Sequence, residues 1–464
     1  MIPLELAEVA RVTGGRLVGA AAPSTRVTGP VVIDSRRVEP GSLFVCLPGE
    51  HVDGHDFAAQ AVASGAVASL ATRDPGGPAV VVDDIEAALA SLATAVLHKS
   101  HCRVVGVTGS SGKTSTKDLL AAVFTAAGAT IAAEGSFNNE LGLPLTALRV
   151  TDETQTLVLE YSARGIGHIR YLCGIARPDI AVVLNVGEAH LGEFGSRDAI
   201  ATAKGELVEV LDADGVAVLN ADDERVAAMS SRTSGRVVTF GAAATADVRV
   251  ADLSVDKAAR PQFRLVTPRG EVEVALALHG RHQAFNAAAV VAAGLAAGID
   301  VHDIVAALQS TTSISAHRMH VQERADGLVV IDDAYNANPD SVRAALHALA
   351  GMRGTGRLWA VLGPMRELGV DGDQMHVDVG HEAAALGVDE LLVVGADAAG
   401  IADGATAAGA DIRARRVADG DAAVVTLLAE VRRDDVVLVK ASNSERLWRV
   451  ADELLGAAAA TVSA

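Results

Sequence analysis

Gly106-Val-Thr-Gly109-Ser-Ser-Gly112-Lys113-Thr114-Ser115-Thr116 follows the apolar run Val104-Val105 and precedes a helix-like stretch, Asp118 to Ala127. The order is strand, glycine-rich loop, helix. Glycines let successive N–H groups and the helix N-terminus face an anion, Lys113 adds a charge on a flexible stem, and a neighbouring hydroxyl can ligate Mg²⁺. These features predict a nucleoside triphosphate site built from Gly109, Ser110, Ser111, Gly112, Lys113, Thr114 and Ser115. The usual phosphate loop has a glycine where Val107 stands, and this chain places its glycines at 106, 109 and 112 instead.

Working outward from this loop, apolar β-rich runs alternate with helical patterns at Val104 to Val107, Thr156 to Leu159, Ile180 to Leu184, Val216 to Leu219 and Val237 to Phe240. Such alternation predicts a mostly parallel sheet covered by helices. Asp247 to Leu278 alternates like antiparallel strands, and Gln283 to Ala297 reads as an Ala-rich helix. Before residue 100 lie short strands with Gly and Pro between them: Val31 to Ile33, Leu43 to Val45 and Val80 to Val82. Beyond residue 315 a new series begins, Leu328 to Ile331, Leu358 to Leu362, Glu390 to Val394 and Val436 to Val439, which reads as doubly wound. The expected fold is α/β in three domains. They are a small α/β domain (1–100), a central parallel-sheet ATPase domain (101–315) and a C-terminal Rossmann-like domain (316–464). The Ala-rich end, Gly456 to Ala464, is expected to fray.

A chain of 464 residues is too long for one core, and three domains of ~150 residues suit it. Half of the residues are apolar and 3% are aromatic, so Ala, Val, Leu and Ile must build the cores. With 39 basic and 58 acidic residues, the net charge of −19 argues against general nucleic-acid or anionic-membrane binding. The three cysteines, Cys46, Cys102 and Cys173, show no CxxC pairing, which favours reduced thiols and gives no zinc motif. The N-terminus lacks an apolar signal core, and the longest uncharged apolar run, Ala287 to Ile299, is too short to span a bilayer. A soluble cytoplasmic protein is expected.

Glu160 ends the run Leu157-Val-Leu159, where a strand-end carboxylate beside the phosphate-loop strand is placed to hold a metal on a γ-phosphate. His190 ends Asn185-Val-Gly-Glu-Ala-His190, after another buried-looking strand. Alone it would be read as an ordinary loop histidine. Lys204 lies on a helix in Ala-Lys204-Gly-Glu206, where a lysine is commonly a solvated face or a partner for Glu206. Asp332 or Asp333, ending a strand, could accept hydrogen bonds from ribose hydroxyls. Asn336 and Asn338 suit a turn, because Asn338-Pro339 is a strong turn signal.

The ordered set GVTGSSGKTST, Glu160, NVGEAHLGEFGS and AKGE resembles the Mur ligases, the ATP-dependent amide-forming enzymes of peptidoglycan precursor synthesis. DSRRVEPGSLFVCLPGEHVDGHDF, SFNNELGLPLT, DDAYNANPDS and VLGPMRELG extend the resemblance over all three domains. It implies ATP and Mg²⁺ as cofactors, with Thr114, Glu160 and His190 around the metal. It also implies that Lys204 is carbamylated and so metal-binding, that Asn286 lies near the nucleotide, and that Arg318 reaches the phosphates. Lys113, Glu160, His190 and Lys204 are the implied catalytic residues. YNANPDS points to addition of D-Ala-D-Ala to UDP-N-acetylmuramoyl-tripeptide, by a monomer. Ser35 and Arg36 are then placed for the UDP moiety, and Asn138 and Asn139 for a substrate-facing loop. Pro364, Ala441 and Asn443 depart from the family pattern and leave the dipeptide pocket open. A ligase adding the third amino acid, a folylpolyglutamate-type synthetase and a non-catalytic nucleotide switch stand as alternatives.

Overall fold

The computed structural model describes residues 1–49, 52–312, 315–409 and 411–461. Among them the strands form sheets of two, nine, six and five members, joined by helices into three α/β units. In the nine-stranded sheet, Arg103–Thr108 runs parallel to Thr156–Glu160 on one side and to Ile180–Val183 on the other. The chain crosses from one flank to the other after Thr156–Glu160, so Arg103–Thr108 sits at a topological switch point. Loops leaving the strands there diverge and open a crevice. Beyond it the sheet continues in parallel through Val216–Asn220, Arg236–Gly241 and Val248–Val255. It ends in the antiparallel meander through Pro261–Thr267 and Gly270–Ala275.

Both faces of this sheet are covered, as its continuous apolar runs require. Val105, Val107, Val158 and Val182 face a core completed by Leu119, Leu120, Val123 and Phe124 of the helix Lys113–Ala127 and by the Ala-rich helix Gln283–Ala296, whose small side chains let it lie close to its neighbours. Val104, Leu157, Leu159 and Val183 face the other way, into a core shared with Leu43, Leu70 and Val80 of the N-terminal five-stranded sheet. The helix Ile85–Lys99 bridges the two, capped by Asp84, whose carboxylate accepts from the Glu86 and Ala87 amides.

The C-terminal sheet runs His320–Glu323, Val329–Asp332, Val436–Lys440, Leu358–Leu362, Glu390–Val394 and Arg413–Val417. All neighbours except the first pair are parallel. Cores lie on both of its faces, one under Trp359 and Leu427 and the other under Leu346 and Leu391. Asn338-Pro339, expected as a turn, opens the helix Pro339–Gly351: Asn338 caps it, Pro339 takes the first helical position, and Ser341 completes a capping box. The terminal helix Trp448–Thr461 takes in most of the Ala-rich end, and 462–464 lie outside the described residues. No helix among the described residues is long and apolar enough to cross a membrane.

Candidate active site

Gly112 turns the chain from strand into helix at φ +79°, and a Cβ there would also come within 2.8 Å of the Asn286 side-chain oxygen. The helix begins at Lys113, earlier than the sequence pattern alone predicts, and its first N–H groups have no partner within the helix. Lys113 folds back so that Nζ donates to the Gly109 carbonyl at 2.9 Å. The Ser110 and Ser111 amides both donate to Asn185 Oδ1 at 2.9 Å. Two loop amides that the sequence reading gives to an anion are thus held by Asn185, and the anion-facing donors concentrate at the helix start.

The expected metal-side residues converge from three elements. Glu160, 1% exposed, accepts from the Thr114 hydroxyl at 3.0 Å and from Asn138 Nδ2 at 2.8 Å. In-register pairing of Glu160 with Val107 sets the carboxylate level with the loop. Arg318 reaches Thr114 Oγ1 from the far side at 3.3 Å, its guanidinium 4.2 Å above the Tyr335 ring centre. His190 sits in the left-handed region at φ +60°, with Nδ1 2.5 Å from Glu367 Oε2, a contact that lacks hydrogen-bond geometry. Burial, with Lys113 nearby, lowers the His190 pKa and keeps the ring neutral. Lys204 is buried, and desolvation reinforced by the Lys113 charge pushes its pKa well below the ordinary lysine value, against the opposing pull of Glu160. Glu206 is not its partner: that carboxylate accepts from the Gly167 and Arg170 amides and caps the helix His168–Ile175. The Thr114 hydroxyl and the Glu160 carboxylate, 3.0 Å apart beside the phosphate loop, are oxygen donors of the kind Mg²⁺ takes, and His190 lines the same cleft.

Lys113, Thr114, Asn138, Glu160, His190, Arg318 and Glu367 line a cleft of ≈ 480 Å³ that the central and C-terminal units share, whereas Lys204 is not among its lining residues. A second cavity of ≈ 260 Å³ adjoins it across Ser111, Gly112 and Arg318. Phe240, Phe285 and Asn286 wall it from one unit, and Met319, Asp333 and Ala345 from the other. Phe240, Phe285 and Met319 give it apolar surface for a planar base, and the polar groups around them, Asn286 and Asp333 among them, can fix its orientation. Asn286 is fixed by Gln283, which accepts from Nδ2 at 2.9 Å.

Some expected residues stand elsewhere. Asp332 accepts from the Ala334 amide and contacts His317 Nδ1 at 2.5 Å, outside the cavities described, whereas Asp333 lines the smaller one and accepts from Lys440 Nζ at 2.6 Å. Arg36 is largely exposed and paired with Asp34, and neither it nor Ser35 lines a described cavity. Asn139 caps the following turn by accepting from the Gly142 amide, and it lines the main cleft with Asn138. Asn185, Glu367 and Lys440 were not among the predicted site residues. Glu367 could have been suspected from its place in MRELG, and Asn185 and Lys440 from the stretches NVGEAH and KASN that contain them, in which the sequence reading gives neither residue a role.

Family models match three segments: the Mur ligase family catalytic domain at 30–98, the Mur ligase middle domain at 107–294, and the Mur ligase glutamate ligase domain at 317–443. The chain belongs to the Mur ligase family. Membership makes it a ligase, with the three-unit α/β architecture described above. It is 47% identical to the UDP-N-acetylmuramoyl-tripeptide–D-alanyl-D-alanine ligase of Mycobacterium tuberculosis, with 98% of each chain covered. Among solved structures it resembles MurF from Acinetobacter baumannii (TM-score 0.87, 31% identity, 98% and 99% covered). It also resembles MurF ligase from Thermotoga maritima in complex with ADP (TM-score 0.79, 30% identity, 94% and 99% covered).

Proposed function

We propose that this Mur ligase uses ATP to join D-alanyl-D-alanine to UDP-N-acetylmuramoyl-tripeptide, forming the UDP-linked pentapeptide, ADP and phosphate. The observation that carries the reading is the meeting of the phosphate loop, Glu160, His190 and Arg318 with C-terminal side chains around one cleft, in a chain similar over nearly its whole length to ligases of that name. The units 1–100, 101–315 and 316–464 would take the UDP sugar, ATP and the dipeptide respectively, with Ser35 and Arg36 serving the first from an exposed turn. Connections near residues 100 and 315 act as hinges. Three free thiols suit a cytoplasmic enzyme, working here as a monomer.

The tripeptide's terminal carboxylate oxygen attacks the γ-phosphorus, and the bond to the β,γ-bridging oxygen breaks to release ADP. Lys113, the helix-start amides through Ser115, and Arg318 offset the charge spreading over the transferred group. Thr114, Glu160 and His190 would hold Mg²⁺, which would supply Lewis-acid neutralisation of the phosphates. The dipeptide's free amine then attacks the acyl carbon, the nitrogen loses its extra proton to solvent, and the tetrahedral oxyanion collapses to the amide as the carbon–oxygen bond to phosphate breaks. Closure of the C-terminal unit keeps water from the acyl phosphate. Asn286 and Asp333 flank the nucleotide.

Lys204 fits carbamylation physically. An amine adds to CO₂ only when unprotonated, and burial among cations favours the unprotonated form. The carbamate so formed bears a negative charge that Lys113 and the metal would stabilise. Intact-protein mass under CO₂-preserving conditions should show one added carbamate that Lys204→Met removes, with activity falling by at least about a thousandfold.

The deciding assay is phosphate release with both substrates present and then each omitted. Release that needs ATP, Mg²⁺, tripeptide and dipeptide together, with the UDP-pentapeptide seen by mass, is the expected result. Chelating Mg²⁺ should abolish it. Release with another amine in place of the dipeptide would overturn the acceptor assignment.

A further inference from the structure

The proposed second step needs a group that brings a small zwitterion amine-first to the cleft. Next to the main cleft lies a third cavity of ≈ 190 Å³, lined by Asn336, Asn338, Ser442, Asn443 and the Arg366–Glu367 pair, with only alanines as apolar lining. Its amides and hydroxyls suit a peptide bond, and its apolar surface is matched to methyl side chains. Asn443, one of the departures from the family pattern, lines both this cavity and the main cleft.

Glu367 stands where the two spaces join, lining both, and it is the one carboxylate that the C-terminal unit contributes to either among the described residues. Its placement is enforced. The backbone at Glu367 is left-handed, φ +64°, a conformation that costs a glutamate energy and persists only where the surroundings hold it. The surroundings do so: the Met365 amide donates to buried His376, the Arg366 amide donates to Ser442 Oγ, and the Glu367 carbonyl accepts from Gly192 of the central unit. The carboxylate is thereby carried to His190, with Oε2 2.5 Å from Nδ1. Besides the imidazole of His190, the carboxylate is approached by Arg164, which is 70% exposed and stands off at 4.0 Å from Oε1, so that this oxygen keeps room for a ligand's ammonium.

Resting on the ligase reading above, we infer that Glu367 binds the ammonium group of the incoming D-Ala-D-Ala, whose remainder lies in the ≈ 190 Å³ cavity, and so aims this nitrogen past His190 toward the acyl phosphate, which it attacks as the amine once one proton has passed to solvent. A charge-assisted hydrogen bond of this kind, in a partly desolvated cleft, governs acceptor capture and leaves ATP and tripeptide capture alone.

The test is steady-state kinetics of Glu367→Gln and Glu367→Asp with each substrate and Mg²⁺ varied in turn. It is paired with positional isotope exchange of β,γ-bridging-labelled ATP in the presence of the UDP-tripeptide and the absence of dipeptide. Glu367→Gln should raise KM for D-Ala-D-Ala by about tenfold to a hundredfold. KM for ATP and tripeptide, half-saturation by Mg²⁺, and the isotope exchange should hold at parental values, and Glu367→Asp should recover part of the loss. A parental KM for the dipeptide in both variants overturns the inference. So does a shifted Mg²⁺ requirement or a lost isotope exchange, either of which would make Glu367 a support of the metal site. Failure of the ligase reading looks different: the unaltered chain itself would then show no dipeptide-dependent phosphate release.

Discussion

Asn185 does for the phosphate loop what a main chain usually does for itself. Its side-chain oxygen accepts from the Ser110 and Ser111 amides while Nδ2 donates to the Ser111 carbonyl at 3.1 Å, so one residue fixes the loop's first turn. Asn185→Ala would leave these groups short of partners at a cost of about 1–3 kcal/mol. The expected outcome is a KM for ATP raised by about tenfold or more, with a lower melting temperature, read by phosphate release and calorimetry. His376 is a second single residue with a wide effect. Nε2 accepts from the Met365 amide at 3.0 Å and Nδ1 donates to the Gly372 carbonyl at 2.8 Å, an arrangement that demands a neutral ring, and burial lowers its pKa accordingly. In the unfolded chain the ring takes up a proton near pH ~6.5 while the folded ring resists. Its stabilising contribution is therefore complete above that pH and is lost as pH falls through the lower folded value. The drop in melting temperature between pH 7.5 and 5.5 should be smaller in His376→Gln than in the parent chain, and an equal drop would refute the assignment.

At the scale of elements, the parallel strands were legible because burial on both faces writes them as unbroken Val, Ile and Leu runs, as in Thr156–Glu160. Arg413–Val417 escaped notice for the opposite reason. As an edge strand it reads RARRV, with charges spaced through a half-exposed surface that no apolar pattern marks. Loop motifs behaved in the same way. Lys113 and Glu160 stand out by their places in the phosphate loop and at a strand end, whereas His190 alone reads as an ordinary loop histidine and stands out only within the ordered set of motifs; the structure brings all three to one cleft. Glu367 and Lys440 acquire meaning only when the C-terminal unit is seated on the central one. Another feature invisible to periodicity is the crossing of Gly372–Ala385 and Ala399–Ala407, where a Cβ on Gly380 or Gly404 would lie 2.0 Å from a carbonyl oxygen of the facing helix. Gly404→Ala should force the helices apart and destabilise the chain by about 1–3 kcal/mol, measurable by denaturant unfolding, with little effect on KM for ATP.

Across the whole molecule, the central and C-terminal units meet backbone to backbone at Gly192 and Gly369. A Cβ on Gly192 would stand 2.6 Å from the Gly369 nitrogen, and the neighbouring Glu188 amide donates to Asp340 Oδ2 at 3.1 Å. Gly192→Ala should wedge this seam open without touching a core. Turnover is expected to fall by about a hundredfold, the price of displacing reacting groups by roughly an ångström. The melting temperature should stay near that of the parent. Retained turnover would mean that the seam need not close. The same seam runs through the ≈ 260 Å³ cavity, whose two walls belong to different units. If the nucleotide occupies this cavity as proposed, its departure would require these two walls, on separate units, to part. The clock of the catalytic cycle would then be hydrodynamic, and turnover should slow in proportion to added glycerol or sucrose even though no chemical step feels viscosity.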